Sequence, residues 1–125
     1  MTVLSRAFAR SRVKMSARYE LFRSVQNANY YFRLKAGNGE IILQSEGYLN
    51  KGGAENGVES VRRHSPMDRC YDRKTSTAGQ PYFVLNALNG QAIGKSQMYS
   101  STYARDRGIE SVKANGPNAP LVDLT

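Results

Sequence analysis

The sequence YFRLKAGNGEII at residues 31–42 is repeated as YFVLNALNGQAI at residues 82–93, at a constant offset of 51. In both copies an apolar run typical of a strand is interrupted by Asn-Gly and then resumes. Asn-Gly between two such runs is a strong hairpin signal, because both residues tolerate the positive φ angles of tight turns. The repeated stretch therefore predicts two equivalent β-hairpins.

The similarity extends beyond the two hairpins. Residues 31–68 align with residues 82–119 without a gap, and 14 of the 38 positions are identical, far more than chance similarity gives. Upstream of this alignment, Tyr19 corresponds to Tyr71 at an offset of 52. The chain therefore contains two repeats, at about residues 19–68 and 71–119.

Length and composition indicate one domain. Each half of a 125-residue chain would be marginally stable alone, so we expect the two repeats to share one core. No apolar run approaches the roughly 18 residues needed to span a bilayer. We therefore expect a soluble, cytoplasmic protein that has no membrane partner.

The net charge of +8 is concentrated at the amino terminus. Residues 1–18 carry +5 without any acidic residue, whereas the chain from Tyr19 onward carries only +3. This composition fits an organellar transit peptide or a disordered basic arm. Alternatively, the start of translation is misassigned and the protein begins at Met15, which immediately precedes the first predicted strand. In both cases we expect the domain to span residues 15–125.

The pattern of elements predicts the order βββα, βββα, β and an α+β fold. Strands are predicted at residues 19–23 and 69–74, besides the hairpins, and at the carboxyl end. Helices are predicted from about Asn50 to Arg63 and from about Ser101 to Ala114, because Asn and Ser are suitable N-caps.

Glycine recurs inside both predicted helices and after the second. Gly57 and Gly108 each cost roughly 0.5–1 kcal/mol relative to alanine, so we expect the helices to approach the sheet closely there. Gly116, followed by proline, is expected to end the second helix in the left-handed conformation.

The hairpin register depends on the turn. A two-residue turn would place Ile41 and Leu43 on the same face as Phe32, whereas a three-residue turn with Gly39 left-handed would place Ile42 there. Ile42 recurs in the second copy, and Ile41 and Leu43 do not. The repeat therefore favours the three-residue turn.

With that register, the sheet face opposite the helices is more apolar than a fully solvated surface. This face is either an interaction surface or ordinary apolar exposure, with the tyrosine rings lying over Lys and Arg stems. The candidate residues of the surface are Tyr31, Arg33, Ile41, Leu43, Tyr82 and Val84.

The repeated Phe-x-Leu-x-Ala-x-Asn-Gly, Ser-x-x-Tyr and Gly-[Val/Ile]-Glu-Ser-Val motifs, with the closing Val-Asp-Leu-Thr, resemble the YegP-like family of small, uncharacterised bacterial proteins. The resemblance covers about residues 15–125. It implies a single antiparallel sheet built from two β(3)-α-β(2) units with exchanged terminal strands, and two helices on one face. It implies no established activity, cofactor or catalytic residue.

No motif in the sequence supports an enzyme. Cys70 and His64 are the only residues of their types, and phosphate-binding loops and metal-binding spacings are absent. We therefore expect no cofactor and no bound metal. The favoured hypothesis is a non-enzymatic binding or assembly module that uses the open sheet face or the groove between repeats, for a protein partner or for self-association.

Two alternatives remain open. The first is weak nucleic-acid binding, in which Tyr31, Tyr82 and Phe22 stack on bases and the basic arm contacts phosphates. The second is an unrecognised enzyme whose residues come together only on folding.

Overall fold

The computed structural model describes residues 16–125. The strands are β1 Arg18–Arg23, β2 Tyr30–Lys35, β3 Ile41–Ser45, β4 Tyr71–Thr75, β5 Pro81–Asn86, β6 Ala92–Lys95 and β7 Leu121–Asp123. The helices are α1 Lys51–His64 and α2 Thr102–Asn115, and a short 3-10 helix, Asp68–Cys70, precedes β4. The predicted extension at residues 1–14 and the alternative start at Met15 lie outside the described residues.

All seven strands form one sheet in the order β4-β5-β6-β3-β2-β1-β7. Neighbouring strands are antiparallel except β7, which pairs parallel to β1. The predicted α+β fold is confirmed, and the sheet is mixed because of β7. The strand that follows α1 is β4, and it pairs with β5. The equivalent position for β7 would be beside β2, but β1 occupies it, so β7 pairs with the outer edge of β1.

One core lies between the sheet and the two helices. The sheet contributes alternate residues of its strands and each helix contributes one apolar side, and all of them belong to a single cluster. Each fully buried Leu or Phe contributes about 1.5–3 kcal/mol to the free energy of unfolding. Either repeat alone would expose much of this cluster to water, so the two repeats stabilise each other. The largest members of the cluster from the two hairpins and helices are Phe32, Leu34, Leu43, Phe83, Leu85, Val58, Val61, Ile109 and Val112.

Both helices begin at the predicted caps. The Asn50 side-chain oxygen accepts a hydrogen bond from the Gly53 backbone N–H at 2.7 Å. The Ser101 hydroxyl accepts one from the Ala104 N–H at 3.0 Å. Each cap satisfies one of the donors that a helix start leaves free, and such a cap contributes about 1 kcal/mol.

The hairpins have the predicted three-residue turn. Gly39 and Gly90 have φ angles of 88° and 90°, in the left-handed region that favours glycine. The Gly39 N–H donates to the Ala36 carbonyl at 2.9 Å, and the Ala36 N–H donates to the Glu40 carbonyl at 2.8 Å. These two bonds close a turn of residues 37–39.

The predicted position of Leu43 on the open face is wrong. Leu34 lies opposite Leu43, whereas Lys35 lies opposite Ile41, so Ile42 is an extra residue in β3. This β-bulge shifts the alternation by one residue and turns Leu43 to the face of Leu34. Leu43 is 0% exposed and belongs to the core.

A pseudo-twofold axis relates the two repeats and passes through the pairing of β3 with β6. Gln44 lies opposite Lys95, which is its own equivalent 51 residues later. Beside this pair, a Cβ added to Gly94 would lie 2.9 Å from Leu43 Cγ. Leu43 and Gly94 are also equivalent positions, so one side chain fills the space near the axis and the other must be absent.

The same constraint explains Gly116. The predicted left-handed conformation is wrong, because Gly116 has φ −56° and ψ −43°. Its equivalent is Ser65, and a Cβ at residue 116 would overlap Ser65 Oγ. Glycine is therefore required here by the space between the two helix ends and not by the backbone conformation.

The space near the axis gives a first testable prediction. Gly94→Leu should destabilise the fold by about 1–3 kcal/mol, because two leucines would compete for one space. The swap Leu43→Gly with Gly94→Leu should regain part of this loss, because the leucine then fills the space from the other repeat. Urea unfolding of both variants and of Leu43→Gly measures the free energies. A double variant as unstable as the sum of its single substitutions would contradict the shared-space explanation.

Candidate functional site

The open sheet face does not gather the predicted surface residues into one patch. Two strands, β6 and β3, lie between β5 and β2, so the two outer groups are three interstrand spacings, about 14 Å, apart. Leu43 is absent from this face, since it is buried in the core. The remaining residues are half-buried and lie on β2 (Tyr31, Arg33), β3 (Ile41) and β5 (Tyr82, Val84).

A buried carboxylate organises the cations on the β1–β2 side of this face. Glu20 is 7% exposed. Its Oε1 accepts a hydrogen bond from Arg33 Nε at 2.8 Å and its Oε2 accepts one from Arg18 Nε at 3.1 Å, while Lys35 Nζ lies 3.4 Å from Oε1. Burial raises the pKa of the Glu20 carboxyl, but these hydrogen bonds and charges outweigh it and hold the pKa below its usual range.

The aromatic rings of the open face are covered by their neighbours. Phe22 stacks on Tyr31 with ring centroids 5.8 Å apart, and the Arg33 guanidinium lies 4.5 Å from the Phe22 centroid. Lys95 Nζ lies 5.9 Å from the Tyr82 centroid. These contacts match the alternative in which the rings lie over cationic side chains, and they occupy ring faces that base stacking would need.

Two grooves lie on the helix side of the sheet. The α2 groove, between α2 and the β2–β3 hairpin, has a volume of about 640 Å³. The α1 groove, between α1 and the β5–β6 hairpin, has a volume of about 460 Å³. Each groove combines the hairpin of one repeat with the helix of the other, so half of the chain could not form either groove.

The lining of the two grooves is related by the pseudo-twofold axis. Nine positions of one groove are equivalent to nine positions of the other. Among them are six that have the same residue in both repeats: Ala36 and Ala87, Asn38 and Asn89, Ile42 and Ile93, Tyr48 and Tyr99, Gly57 and Gly108, Ser60 and Ser111.

The repeated tyrosine and glycine fit each other. The Tyr48 ring stacks on Phe32 with centroids 6.3 Å apart, and a Cβ at Gly57 would lie 2.5 Å from Tyr48 Oη. In the second repeat a Cβ at Gly108 would overlap Tyr99 Oη. The predicted close approach to the sheet is confirmed at Gly57, where an added Cβ would also lie 2.7 Å from Phe32 Cε2 of β2. At Gly108 the three nearest atoms all belong to Tyr99, so the close contact there is with the tyrosine that precedes the helix and not with a strand.

The serine of the Ser-x-x-Tyr motif has a structural role. The Ser45 hydroxyl accepts a hydrogen bond from the Phe32 N–H and donates one to the Glu46 carbonyl, both at 2.9 Å. Ser96 makes the equivalent bonds in the second repeat. Both serines thus satisfy backbone groups at the strand ends and leave the grooves to other residues.

The rim of the α2 groove carries charges of both signs. Glu40 and Arg107 line this groove from opposite sides, one on the hairpin and one on the helix. Arg107 Nη1 donates a hydrogen bond to Tyr103 Oη at 3.3 Å, and the Tyr103 ring is 70% exposed. This groove therefore offers an aromatic ring, a cation and a carboxylate.

The rim of the α1 groove differs in charge. Gln91 and Asn56 stand at the positions equivalent to Glu40 and Arg107, and the end of α1 adds Arg63 and His64. His64 Nδ1 lies 2.8 Å from the Ser60 carbonyl, which only accepts, so Nδ1 is the protonated nitrogen that donates to it. None of the residues within 16–125 that line this groove carries a carboxylate.

A groove between the repeats is predicted from the sequence, but its lining residues are not. The signal that could have found them is the set of residues identical in the two copies, which by themselves indicate only turn, core and helix-packing positions. Within residues 16–125, no group of three or more His, Cys, Asp or Glu side chains could hold a metal ion. In the same part of the chain, neither helix is long and apolar enough to cross a bilayer.

Comparisons with known proteins match this repeated architecture. The family described as Domain of unknown function (DUF1508) matches the chain twice, at residues 26–72 and 76–123. The UPF0339 protein of Shewanella oneidensis is 53% identical over 111 residues, which is 89% of this chain and 100% of that protein. The UPF0339 protein YegP of Yersinia pestis is 50% identical over 107 residues, 86% of this chain and 95% of that protein.

Solved structures agree with the fold. The solution NMR structure of the Shewanella oneidensis UPF0339 protein has a TM-score of 0.82, is 53% identical, and covers 88% of this chain and 92% of its own. The solution NMR structure of the Escherichia coli protein of unknown function yegP has a TM-score of 0.83 at 48% identity, covering 89% of this chain and 95% of its own. These descriptions state no activity, ligand or partner.

The Glu20 cluster predicts a pH-dependent loss of stability. Because the Glu20 pKa is lowered by folding, its contribution is complete above the ordinary value of 4.5 and is lost as pH falls through the folded value. Glu20→Gln should therefore cost about 1–3 kcal/mol near neutral pH, and the difference from the parent should shrink below pH 4.5. Urea unfolding across that range measures it.

Glu59→Gln is the matched control for Glu20→Gln. Glu59 pairs with Arg62 on the surface of α1, and its side chain is 62% exposed. Removing that pair should change the unfolding free energy by less than about 0.5 kcal/mol. An equal effect of the two substitutions would contradict the role of the buried carboxylate.

The tyrosine–glycine contact predicts opposite effects of one substitution at two helix positions. Gly108→Ala should destabilise the fold by about 1–3 kcal/mol despite its gain in helix propensity, because the methyl group meets Tyr99. Gly52→Ala, where the nearest atom is 3.7 Å away, should stabilise by about 0.5–1 kcal/mol. Thermal unfolding compares them. Adding Tyr99→Phe to Gly108→Ala should recover part of the loss, and failure to do so would place the clash elsewhere.

Proposed function

The chain belongs to the DUF1508 family, and from that premise we propose that it is a non-enzymatic binding module whose small ligands occupy the α1 and α2 grooves. Concave sites of about 300–1,000 Å³ with an apolar floor and a few polar groups are the usual form of small-molecule sites. Both grooves fall in this range.

The observation that carries the proposal is the repetition of the groove lining. The two copies differ at 24 of 38 aligned positions, yet six identical pairs line the grooves. Ala36 and Ala87 on the hairpins and Ser60 and Ser111 on the helices are small in both repeats, which keeps both grooves open, although Tyr48 and Tyr99 fill the space beside the helix glycines. Because each groove needs both repeats, binding would also depend on the intact chain.

The chemistry of the grooves supports binding rather than catalysis. The Ser60 hydroxyl lies near His64 Nδ1, at 3.3 Å, but that nitrogen already donates to the Ser60 carbonyl. It therefore has no lone pair with which to accept the serine proton. In the second repeat the equivalent of His64 is Asn115, which is not a base and does not line the α2 groove. The absence of catalysis and the cytoplasmic location predicted from the sequence are parts of this proposal.

The open sheet face supports the alternatives less well. Its rings are covered by Arg33 and Lys95, and its cations on the β1–β2 side are compensated by Glu20. Nucleic-acid binding and self-association through this face stay predictions from the sequence, and no contact between residues of the described part of the chain favours them.

Mapping with neutral probes tests the proposal. Phenol and isopropanol, titrated separately into ¹⁵N-labelled protein, should shift amide resonances at residues 36–42, 87–93 and the facing sides of α1 and α2. Shifts confined to the open sheet face, or the absence of saturable shifts, would overturn the proposal.

A pair of neighbouring substitutions serves as the control. Asn56→Phe places a ring in the α1 groove and should abolish the probe shifts there while leaving those of the α2 groove. Glu55→Phe adds the same ring at the adjacent exposed position, which does not line a groove, and should change neither. Equal effects of the two variants would contradict binding in the groove.

A further inference from the structure

The two grooves have the same floor but different charge. On the hairpin side, Glu40 of the α2 groove is replaced by Gln91 in the α1 groove. On the helix side, Arg63 and His64 line the α1 groove, whereas their equivalents, Ala114 and Asn115, do not line the α2 groove. The duplicated site has therefore diverged in the charge of its rim, which is the part that selects a ligand.

Arg63 is an exposed cation on α1 that lines the α1 groove. Among the described residues it makes no ion pair, hydrogen bond or ring contact, whereas the adjacent Arg62 bonds to Glu59 and to the Pro117 carbonyl. A guanidinium presents several N–H donors in a planar fork that matches carboxylate and phosphate oxygens. Among the described residues that line the α1 groove with Arg63, none carries a carboxylate.

The remaining polar groups of the α1 groove add hydrogen-bond donors. The Asn89 side-chain oxygen is already used, since it accepts from the Gln91 N–H at 2.9 Å, which leaves the Asn89 amide N–H₂ to donate. The Asn56 and Gln91 amides bring further N–H groups. The protonated Nδ1 of His64 fixes the ring on Ser60, and Nε2 has no partner among the described residues.

We propose that the α1 groove binds a small ligand through an anionic phosphate or carboxylate group, which Arg63 contacts with help from the Asn56 and Gln91 amides. The uncharged part of the ligand then packs against Tyr48 and Ile93. This inference rests on the proposed function and adds the chemical class of one ligand. The α2 groove, where Glu40 lies opposite Arg107, does not share this preference.

Three probes of similar size test the charge preference. Glucose, glucose 6-phosphate and gluconate are titrated into ¹⁵N-labelled protein at constant ionic strength. Amides at residues 56, 63, 64, 89 and 91 should shift saturably with at least one of the two anions and not with glucose. The response to glucose 6-phosphate compared with gluconate distinguishes a phosphate from a carboxylate site. Glucose shifting these amides as strongly as both anions would overturn the inference.

Arginine substitutions separate a site from general attraction to a basic protein. Arg63→Gln should weaken anion binding about tenfold or more, since it removes the charged fork. Arg69→Gln removes an exposed arginine that likewise lacks a partner among the described residues but does not line a groove, and it should leave binding unchanged. Equal losses would identify non-specific electrostatics and overturn the inference.

Transfer of the rim provides a gain-of-function test. Glu40→Gln and Arg107→Asn together with Ala114→Arg and Asn115→His give the second repeat the residues that stand at the rim of the α1 groove, and anion shifts should then be found at both grooves. Phenol and isopropanol shifts at the grooves without any anion shifts would leave the proposed function intact and refute the anion site alone. A variant that binds anions only in the α1 groove would show that these rim residues do not suffice and would contradict their assigned role.

Discussion

The rest of this fold depends on the packing at the pseudo-twofold axis between β3 and β6, where the space beside the two strands holds one side chain and not two. Gln44 pairs with Lys95 at the axis, and near it Leu43 packs over Gly94. In the helix layer Ser65 meets Gly116 in the same way. A symmetric pair of separate chains would need the same residue on both sides, whereas a fused duplicate can keep leucine on one side and glycine on the other. The two repeats consequently share one continuous core.

The crossing of elements between repeats also creates the grooves. Each helix lies partly over the hairpin of the other repeat, and the tyrosine that precedes it packs into the space left by a helix glycine. The floor of each groove is therefore fixed by packing that the fold requires. The rim is free of that requirement, and there the copies differ in charge. Duplication thus gives one small domain two related concave sites that can change independently.

Much of the architecture could be predicted from the sequence because its signals are local. The Asn-Gly turns and the caps Asn50 and Ser101 depend on neighbouring residues, and the structure confirms both predictions. The helix glycines do make close contacts, but at Gly108 the contact is with Tyr99 and not with the sheet. One error is local, since Leu43 is turned inward by a bulge between β2 and β3. The others concern contacts between the repeats: Gly116 responds to Ser65 rather than to its own φ angle, and β7 pairs parallel with β1, which makes the predicted antiparallel sheet a mixed one. No local pattern reports contacts between the repeats, and for the same reason the rim of the grooves could not be assembled from the sequence.

The position of β7 has a consequence for the connectivity of the fold. The Tyr19 N–H donates to the Pro120 carbonyl at 2.8 Å, so the segment that leaves α2 runs beside the beginning of β1. In the other repeat, the segment that leaves α1 continues directly into β4, the counterpart of β1. Joining the end of α2 to β1 by a short peptide would thus reproduce a connection that the molecule already contains. The fold is close to a closed ring of two units, and circularly permuted genes with new termini in a hairpin turn would encode the same arrangement of strands and helices.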